Sequence, residues 1–515
     1  MTCEVWPRRA AQLLWTAWLV LLCAATAQAS IQYQVSLKQR QEHRFIVWMT
    51  VPDVTGELVV QMPAWNALYQ IRDFAHRVQN VRAYQLHDAG SAVPVAVRKR
   101  DKLTWVVAGR GTLRLEYAVF WDEASPFSSQ LNTEHAFLNL ATLLFYVPTR
   151  RHEDVRIAFT DLRDGWRIAT ALPAEDAFTF RAASYDLLVD APVEISAFSE
   201  FRFEVNGARI RVVVHGSYAR DRLEADLRRI VAYQTQLMRE VPFEEFLFLY
   251  HFGEGGGGME HANSTAIFAG SHDSSAHVSA HEFFHLWNVK RIRPQGLEPV
   301  DYSRENYTRA LWFAEGVTST YADYTLVRSG LWSPRQFYNS LAQELDELES
   351  RPAHHWKSAE EASLDAWHEG YRLYRRPDLS ISYYNKGYLL GVLLDILIRD
   401  LSDNRASLDD VLRYLNETYA RKGRFYEESE GIQQAVEVVV LRAGSASAVA
   451  RPRIVEFFAR YVAGTDPLPA DEWLERAGLR RERNGGRSTI VEMVPATERQ
   501  RRIREGLLRG ATDPP

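Results

Sequence analysis

Cysteine is nearly absent: the 515-residue chain has two, Cys3 and Cys23, both close to the N-terminus. Beyond them, no disulfide framework and no thiolate metal site can form. Glycine (28) and proline (20) are sparse, which excludes collagen-like and low-complexity sequence. Repeated long apolar runs are missing as well, excluding a polytopic membrane protein. The formal net charge of −5 lacks the basic excess of a nucleic-acid binder, so no nucleic-acid partner is expected. What is present is an ordinary globular balance, 46% hydrophobic and 25% charged, at a length suited to about two to four domains.

Residues 1–29 read as a secretory signal. Arg8 and Arg9 form a positive start, Leu13 to Ala25 an apolar stretch, and Ala27-Gln28-Ala29 a small-residue cleavage site. The apolar stretch is short for a span, so no stable membrane insertion is expected after signal cleavage. Leu22 before Cys23 argues against a lipoprotein, and Arg8-Arg9 leaves both general and twin-arginine export open. Cleavage after Ala29 leaves a cysteine-free chain, as expected of an exported bacterial protein, periplasmic or secreted.

From Ser30 to Ala191 the pattern is mainly strands. Short β-branched and aromatic runs such as Phe45 to Trp48, Glu57 to Met62 and Thr112 to Trp121 are separated by Gly, Pro and Asp clusters. No site is read in this region. Phe201 to Val205, Asn206-Gly207 and Arg209 to Val214 form a hairpin signature. A helix follows from about Asp221 to Arg239, then a strand, Phe246 to Tyr250, running into the glycine-rich Gly253 to Gly258. Beyond Val278 the pattern is mostly helical, and Tyr388 to Leu401 reads as a buried helix. The last fifty residues are Arg-rich and read as a solvated tail.

The sharpest feature is His281-Glu282-Phe283-Phe284-His285. On a helix, residues four apart share a face, about 6 Å apart along the axis. Two imidazoles so placed can converge on one tetrahedral zinc, and Glu282 can take a proton from an attacking water. A catalytic zinc needs a third protein ligand and an open position. No His-x-x-Gly-x-x-His continuation follows His285, which excludes the metzincin arrangement. Glu315, within Leu311-Trp312-Phe313-Ala314-Glu315-Gly316, is the candidate: apolar neighbours imply burial, and a buried carboxylate needs a partner. The competing reading is an ordinary surface glutamate. Gly253 to Gly258 lacks the Gly-Lys-Ser/Thr of a phosphate loop; with Met259-Glu260 after it, a substrate edge is preferred to a flexible turn. His261, His272 and His277 match no metal spacing and read as loop or supporting histidines. Asp323, eight residues after Glu315, is a candidate to orient a ligand histidine.

The stretch Ala280 to Pro294, AHEFFHLWNVKRIRP, resembles the signature of the glycyl aminopeptidase family of gluzincin metallopeptidases. Trp312-Phe313-Ala314-Glu315-Gly316 is similar to that family's third-ligand helix. Gly257-Gly258-Met259-Glu260-His261 resembles its exopeptidase loop, itself related to the loop of aminopeptidase N. Tyr185 to Pro192, YDLLVDAP, is similar to the family's junction between β-domain and catalytic domain. The resemblance covers nearly all of the mature chain to about Leu479. It implies one zinc per chain on His281, His285 and Glu315, with Glu282 as general base and then acid. It also implies that Glu260 holds the substrate's free α-ammonium, beside Gly257, Gly258 and Met259. Ser382 to Gly387, SYYNKG, looks like a Tyr-x-Lys-Gly segment that would make Tyr384 the donor to the oxyanion; a core tyrosine, and Tyr383 in its place, are the alternatives. Members commonly carry a C-terminal PDZ domain; the stretch after Leu479 is too short for one, so none is expected.

The expected fold is α+β and multidomain. An N-terminal all-β, sandwich-like domain covers 30–191 and a thermolysin-like catalytic domain with a mostly helical C-terminal lobe covers 192–465, followed by the Arg-rich tail, 466–515. The expected activity is a zinc aminopeptidase acting on peptides with a free N-terminus, with small residues such as Gly or Ala preferred by resemblance alone. The rivals are a zinc endopeptidase of the same fold and a catalytically silent peptide-binding relative.

Overall fold

The computed structural model describes residues 30–66, 69–87, 90–253, 255–271, 275–510 and 512. The 1–29 segment read as a signal lies outside the described residues, as does His272.

Alternating side chains build the N-terminal layers. In strand Arg44–Val54, Phe45, Val47, Met49 and Val51 point into the core while their neighbours face outward, the two-residue period of a half-buried strand. This strand is central to a seven-stranded sheet ordered Thr179–Ala182, Val155–Thr160, Ile31–Gln39, Arg44–Val54, Gly111–Phe120, Val78–Leu86, Ala92–Val95. Smaller three- and four-stranded sheets pack with it; the latter carries His135–Leu138 and Val193–Ser196 side by side. Between them runs a buried, irregular segment whose carbonyls need donors. Three buried tyrosines supply them: Tyr117 donates to the Leu143 carbonyl (3.1 Å), Tyr185 to Leu144 (2.8 Å) and Tyr33 to Phe145 (2.8 Å). The segment is thereby fixed, and with it Asn139, whose amide reaches Met259 Sδ at 3.2 Å in the catalytic region.

The predicted hairpin forms from Ser199–Val205 and Ala208–His215 around Asn206-Gly207. Helix Arg220–Met238 then carries the chain across to strand Glu245–Phe252, parallel to Ala208–His215, as a parallel pair requires. Strand Gly257–Glu260 lies antiparallel to Ser264–Ala269 and ends this five-stranded sheet, leaving one backbone edge unpaired. The helical half follows, including Ser275–Phe284, Thr318–Arg328 and Tyr383–Leu401. The α+β expectation is met: a β-rich N-terminal part, then a mostly helical one.

The reading of 466–515 as a solvated tail needs correction. Helix Ala470–Arg476, a hairpin of Leu479–Asn484 and Arg487–Glu492, and helix Glu498–Arg509 fold onto the helical half. Ile503 and Leu507 are buried, and fully buried Arg328 donates to the carbonyl of Leu507 at 2.8 Å. The arginines are structural: Arg476 and Arg499 both reach Asp400. No helix among the described residues is long and apolar enough to cross a membrane.

Candidate metal centre and active-site cleft

Helix Ser275–Phe284 is clamped by its two phenylalanines. Phe283 meets Phe246 edge-on at 4.9 Å and Phe284 stacks on Tyr321 at 4.5 Å, both fully buried. With those faces used by the core, His281 and His285 project to a third, and the His285 amide still bonds the His281 carbonyl at 3.2 Å.

Each imidazole is set by a partner on its other nitrogen. His285 Nδ1 donates to the Asn288 carbonyl at 2.7 Å. The Ser319 hydroxyl donates to the Glu315 carbonyl (3.1 Å), which leaves its oxygen to accept from His281 Nδ1 at 3.3 Å. Both Nε2 atoms therefore present lone pairs, and they face each other at 2.9 Å. Glu315 Oε2 completes a triangle, 3.2 Å from His285 Nε2 and 3.6 Å from His281 Nε2. Three electron-rich atoms this close are held together by a positive charge among them, a shared proton or a metal ion. Ligand atoms about 2.0–2.1 Å from one tetrahedral ion stand about 3.3–3.4 Å apart, so the residues present fit a zinc ion.

Glu315 reaches this position on a π-helical turn, Trp312–Val317, that leads into helix Thr318–Arg328. Such turns concentrate at functional sites because they re-aim a side chain within a helix. The turn is pressed against helix Tyr383–Leu401 through two glycines: a Cβ on Gly316 would lie 2.4 Å from Gly387 Cα, and one on Gly387 2.2 Å from the Trp312 carbonyl oxygen. That contact brings Tyr384 to the centre, its ring 6.1 Å from that of His281. Tyr384 lines the cleft; Tyr383, two per cent exposed, packs in the core. Burial, and then the charge of Glu315, push the Tyr384 phenol well above its ordinary value, so it stays a donor.

Glu282 is buried beside the triangle, and among the described residues its Oε2 has no hydrogen-bond partner. Burial raises its carboxyl, the His285 charge opposes, and Glu260 and Glu315 push it up further, to a level well above the ordinary carboxylate range. For Glu315, burial works in the same upward sense, but His285 and His281 outweigh it and hold the carboxylate ionised. Glu282 lies over the edge strand: a Cβ on Gly258 would fall 2.4 Å from its Cγ, Cδ and Oε1. Glu260, two residues along, brings a carboxylate oxygen within 4.8 Å of ligand atoms of Glu282 and His285.

These groups line one cavity of about 160 Å³. Gly258, Met259 and Glu260 are on its wall, while Gly257 sits just outside, against Phe127. The N-terminal half, in which no site is read from sequence, supplies Trp65, Tyr69 and Phe127 to the wall. Asp323 departs from the expectation that it orients a ligand histidine. Its carboxylate takes His277 Nε2 at 3.1 Å and the Tyr388 hydroxyl at 2.8 Å, whereas Ser319 and the Asn288 carbonyl serve the ligand histidines. Ser319 is legible in retrospect, one helical turn after Glu315. His261 meets Asp190 at 3.3 Å, and Asp190 also holds Lys290 at 2.7 Å.

The profile of the M61 glycyl aminopeptidase family matches residues 274–390, and that of the peptidase M61 N-terminal domain matches 32–197. A crystal structure of an aminopeptidase N family protein from Idiomarina loihiensis is 25% identical, with a TM-score of 0.79 over 88% of this chain and 79% of that one. An M1 zinc metallopeptidase from Deinococcus radiodurans is similar in fold at 14% identity, TM-score 0.50, covering 86% of this chain and 95% of that one. A mutant of the Deinococcus radiodurans protein bound to a Tyr-Ser-Ala substrate aligns at 13% identity and TM-score 0.50, over 85% and 94% of the two chains. No curated protein matches the chain. Both parts of the chain thus carry the marks of one family, and the chain belongs to the M61 glycyl aminopeptidases, which are metallo-aminopeptidases.

Proposed function

We propose that the protein is a zinc aminopeptidase that removes small N-terminal residues, Gly or Ala, from peptides. The observation that carries this reading is the closeness of Glu260 to both Glu282 and His285. A carboxylate fixed beside the reacting centre binds a substrate's α-ammonium and sets the scissile bond one residue away. Zinc held by His281, His285 and Glu315 would supply Lewis-acid polarisation of the carbonyl and acidify the attacking water.

The remaining work falls to the chain itself. Glu282 takes the proton of the attacking water on its unpaired Oε2 and returns it to the leaving amine. Tyr384 donates its hydroxyl to the oxygen that gains charge. The unpaired edge of Gly257–Glu260 accepts the substrate backbone as an added strand. The preference for small residues is supported by a cavity of about 160 Å³ walled by Trp65, Tyr69 and Phe127, well below the roughly 300 Å³ of common ligand pockets. Export remains part of the proposal and rests on the sequence of residues 1–29.

The test uses Glu260→Gln with paired substrates, alanyl-anilide and its N-acetyl derivative. The variant should lose about 10²-fold or more in kcat/KM on the free amine, with the N-acetyl compound poorly cleaved by both proteins. Equal cleavage of the two substrates by wild type would favour the endopeptidase reading.

A further inference from the structure

A second cluster of imidazoles and carboxylate lies where the N-terminal strands meet the catalytic sheet, and none of its residues lines the cavity above. His135 and Glu194 come from the paired strands His135–Leu138 and Val193–Ser196. His215 and His251 are register partners on Ala208–His215 and Glu245–Phe252. Glu194 is 1% exposed, and His135 and His251 are each 4% exposed; His215 alone reaches solvent.

Glu194 Oε2 stands 2.9 Å from His251 Nε2 and 3.5 Å from His135 Nδ1, and the three ligand atoms all lie within 4.8 Å of one another. His215 Nδ1 approaches the other oxygen, Oε1, at 3.8 Å. The proton arrangement is legible from the neighbours. Gln130 donates its amide nitrogen to Asp122 at 3.1 Å, which turns its carbonyl oxygen toward His135 Nε2 at 3.0 Å. His135 Nε2 is thus the donor, which leaves Nδ1 turned toward the carboxylate, 3.5 Å from the buried Glu194 Oε2. Among the described residues, the buried Glu194 Oε1 and His251 Nδ1 also have no hydrogen-bond partner.

We propose that His135, Glu194 and His251, with His215 closing the solvent side, form a second binding site for a divalent transition-metal ion of the zinc type. The donor set, two imidazole nitrogens and one carboxylate oxygen, is the one found in the catalytic triangle and suits zinc rather than magnesium or calcium. Its surroundings assign it a structural role. Phe268 stacks on His251 at 4.1 Å, Phe137 meets the same ring edge-on at 5.0 Å, and both belong to an apolar cluster with Phe198, Leu247 and Leu249 between the two sheets. A metal here ties strands of the N-terminal part to the catalytic sheet, and with His215 bound it has no open position for substrate.

The test counts zinc in full-length protein that has been stripped with chelator, reloaded and desalted. Wild type should retain about two equivalents, His285→Ala about one, and His285→Ala combined with His251→Asn close to none. Because the double variant can lose its fold, His285→Ala with His215→Ala serves as the second arm, since His215 is partly exposed. It should remain folded and bind the residual zinc about 10-fold or more weakly by competition with a fluorescent chelator. One equivalent in wild type and none in His285→Ala would overturn the second site. Unchanged affinity on loss of His215 would refute the part assigned to that residue.

Discussion

Gly258→Ala is a small change with a large expected consequence. The backbone at Gly258 is not left-handed, and the residue is paired with Ile267 in an ordinary antiparallel register, so alanine strains nothing in the strand itself. The added methyl carbon would instead sit 2.4 Å from Cγ, Cδ and Oε1 of Glu282, against about 3.5–4.0 Å for an ordinary carbon contact. Relief requires a displacement of about 1 Å, either of Glu282, the proposed general base, or of the edge strand proposed to receive the substrate. A misplacement of that size costs about 10² in rate, or about 2.7 kcal/mol of barrier. The assay is kcat on glycyl- or alanyl-anilide, with zinc content and melting temperature measured alongside. Zinc content should change little, because His281, His285 and Glu315 are untouched, while the melting temperature reports the cost of the displacement. Gly256→Ala is the control: among the described residues nothing lies within 4 Å of its added carbon, and its activity should match wild type. A Gly258→Ala enzyme within about threefold of wild type would refute the argument that Glu282 works where the structure has it.

Three further outcomes are expected. Tyr384→Phe should lower kcat by about 10²-fold with KM little changed, while Tyr383→Phe, buried behind it, should leave kcat near wild type; the reverse order would exchange their roles. Gly506→Ala puts a carbon 2.2 Å from Nη1 of the fully buried Arg399 and should cost about 1–3 kcal/mol in urea unfolding; no loss would mean that the C-terminal helix is not docked there. Lys386 is buried with no hydrogen-bond partner for Nζ among the described residues, and burial lowers it from 10.5 to about 8. Between those values the unfolded chain binds the extra proton, so this group makes stability rise with pH from about 8 to 10.5. Lys386→Met should therefore stabilise the protein at pH 7 and lose that advantage by pH 10; an equal shift in melting temperature at both would contradict it.

The parts of the site that could be read in the sequence are those written at helical spacing. His281, Glu282 and His285 lie within five residues, and the aromatic run around Glu315 signals a buried carboxylate wherever the chain goes next. The rest depends on contacts distant along the chain. Tyr69 and Trp65 reach the cleft only because the N-terminal sheets pack against the catalytic one, and no local pattern marks them. His135, Glu194, His215 and His251 are scattered over more than a hundred residues with no common period, so only strand pairing assembles them. Asp323 was a plausible partner for a ligand histidine by type, but Ser319 holds the better place, four residues after Glu315. The C-terminal segment is a different case, because its signals were present. Asn484-Gly485 is a turn dipeptide, and Thr497 with Gln500 forms a capping box at the start of the last helix. The arginine content masked both, since charge suggested a solvated end where buried Asp400 in fact collects two of those guanidinium groups, Arg476 and Arg499.

Three side chains from two separate segments are placed to grip one ion beside Glu282 and Glu260. Anomalous diffraction at the zinc absorption edge, on crystals of the reloaded full-length protein, locates that ion. A strong peak is expected, enclosed by Nε2 of His281, Nε2 of His285 and Oε2 of Glu315. An empty triangle in zinc-loaded crystals, with the Glu315 carboxylate turned away from both rings, would contradict it.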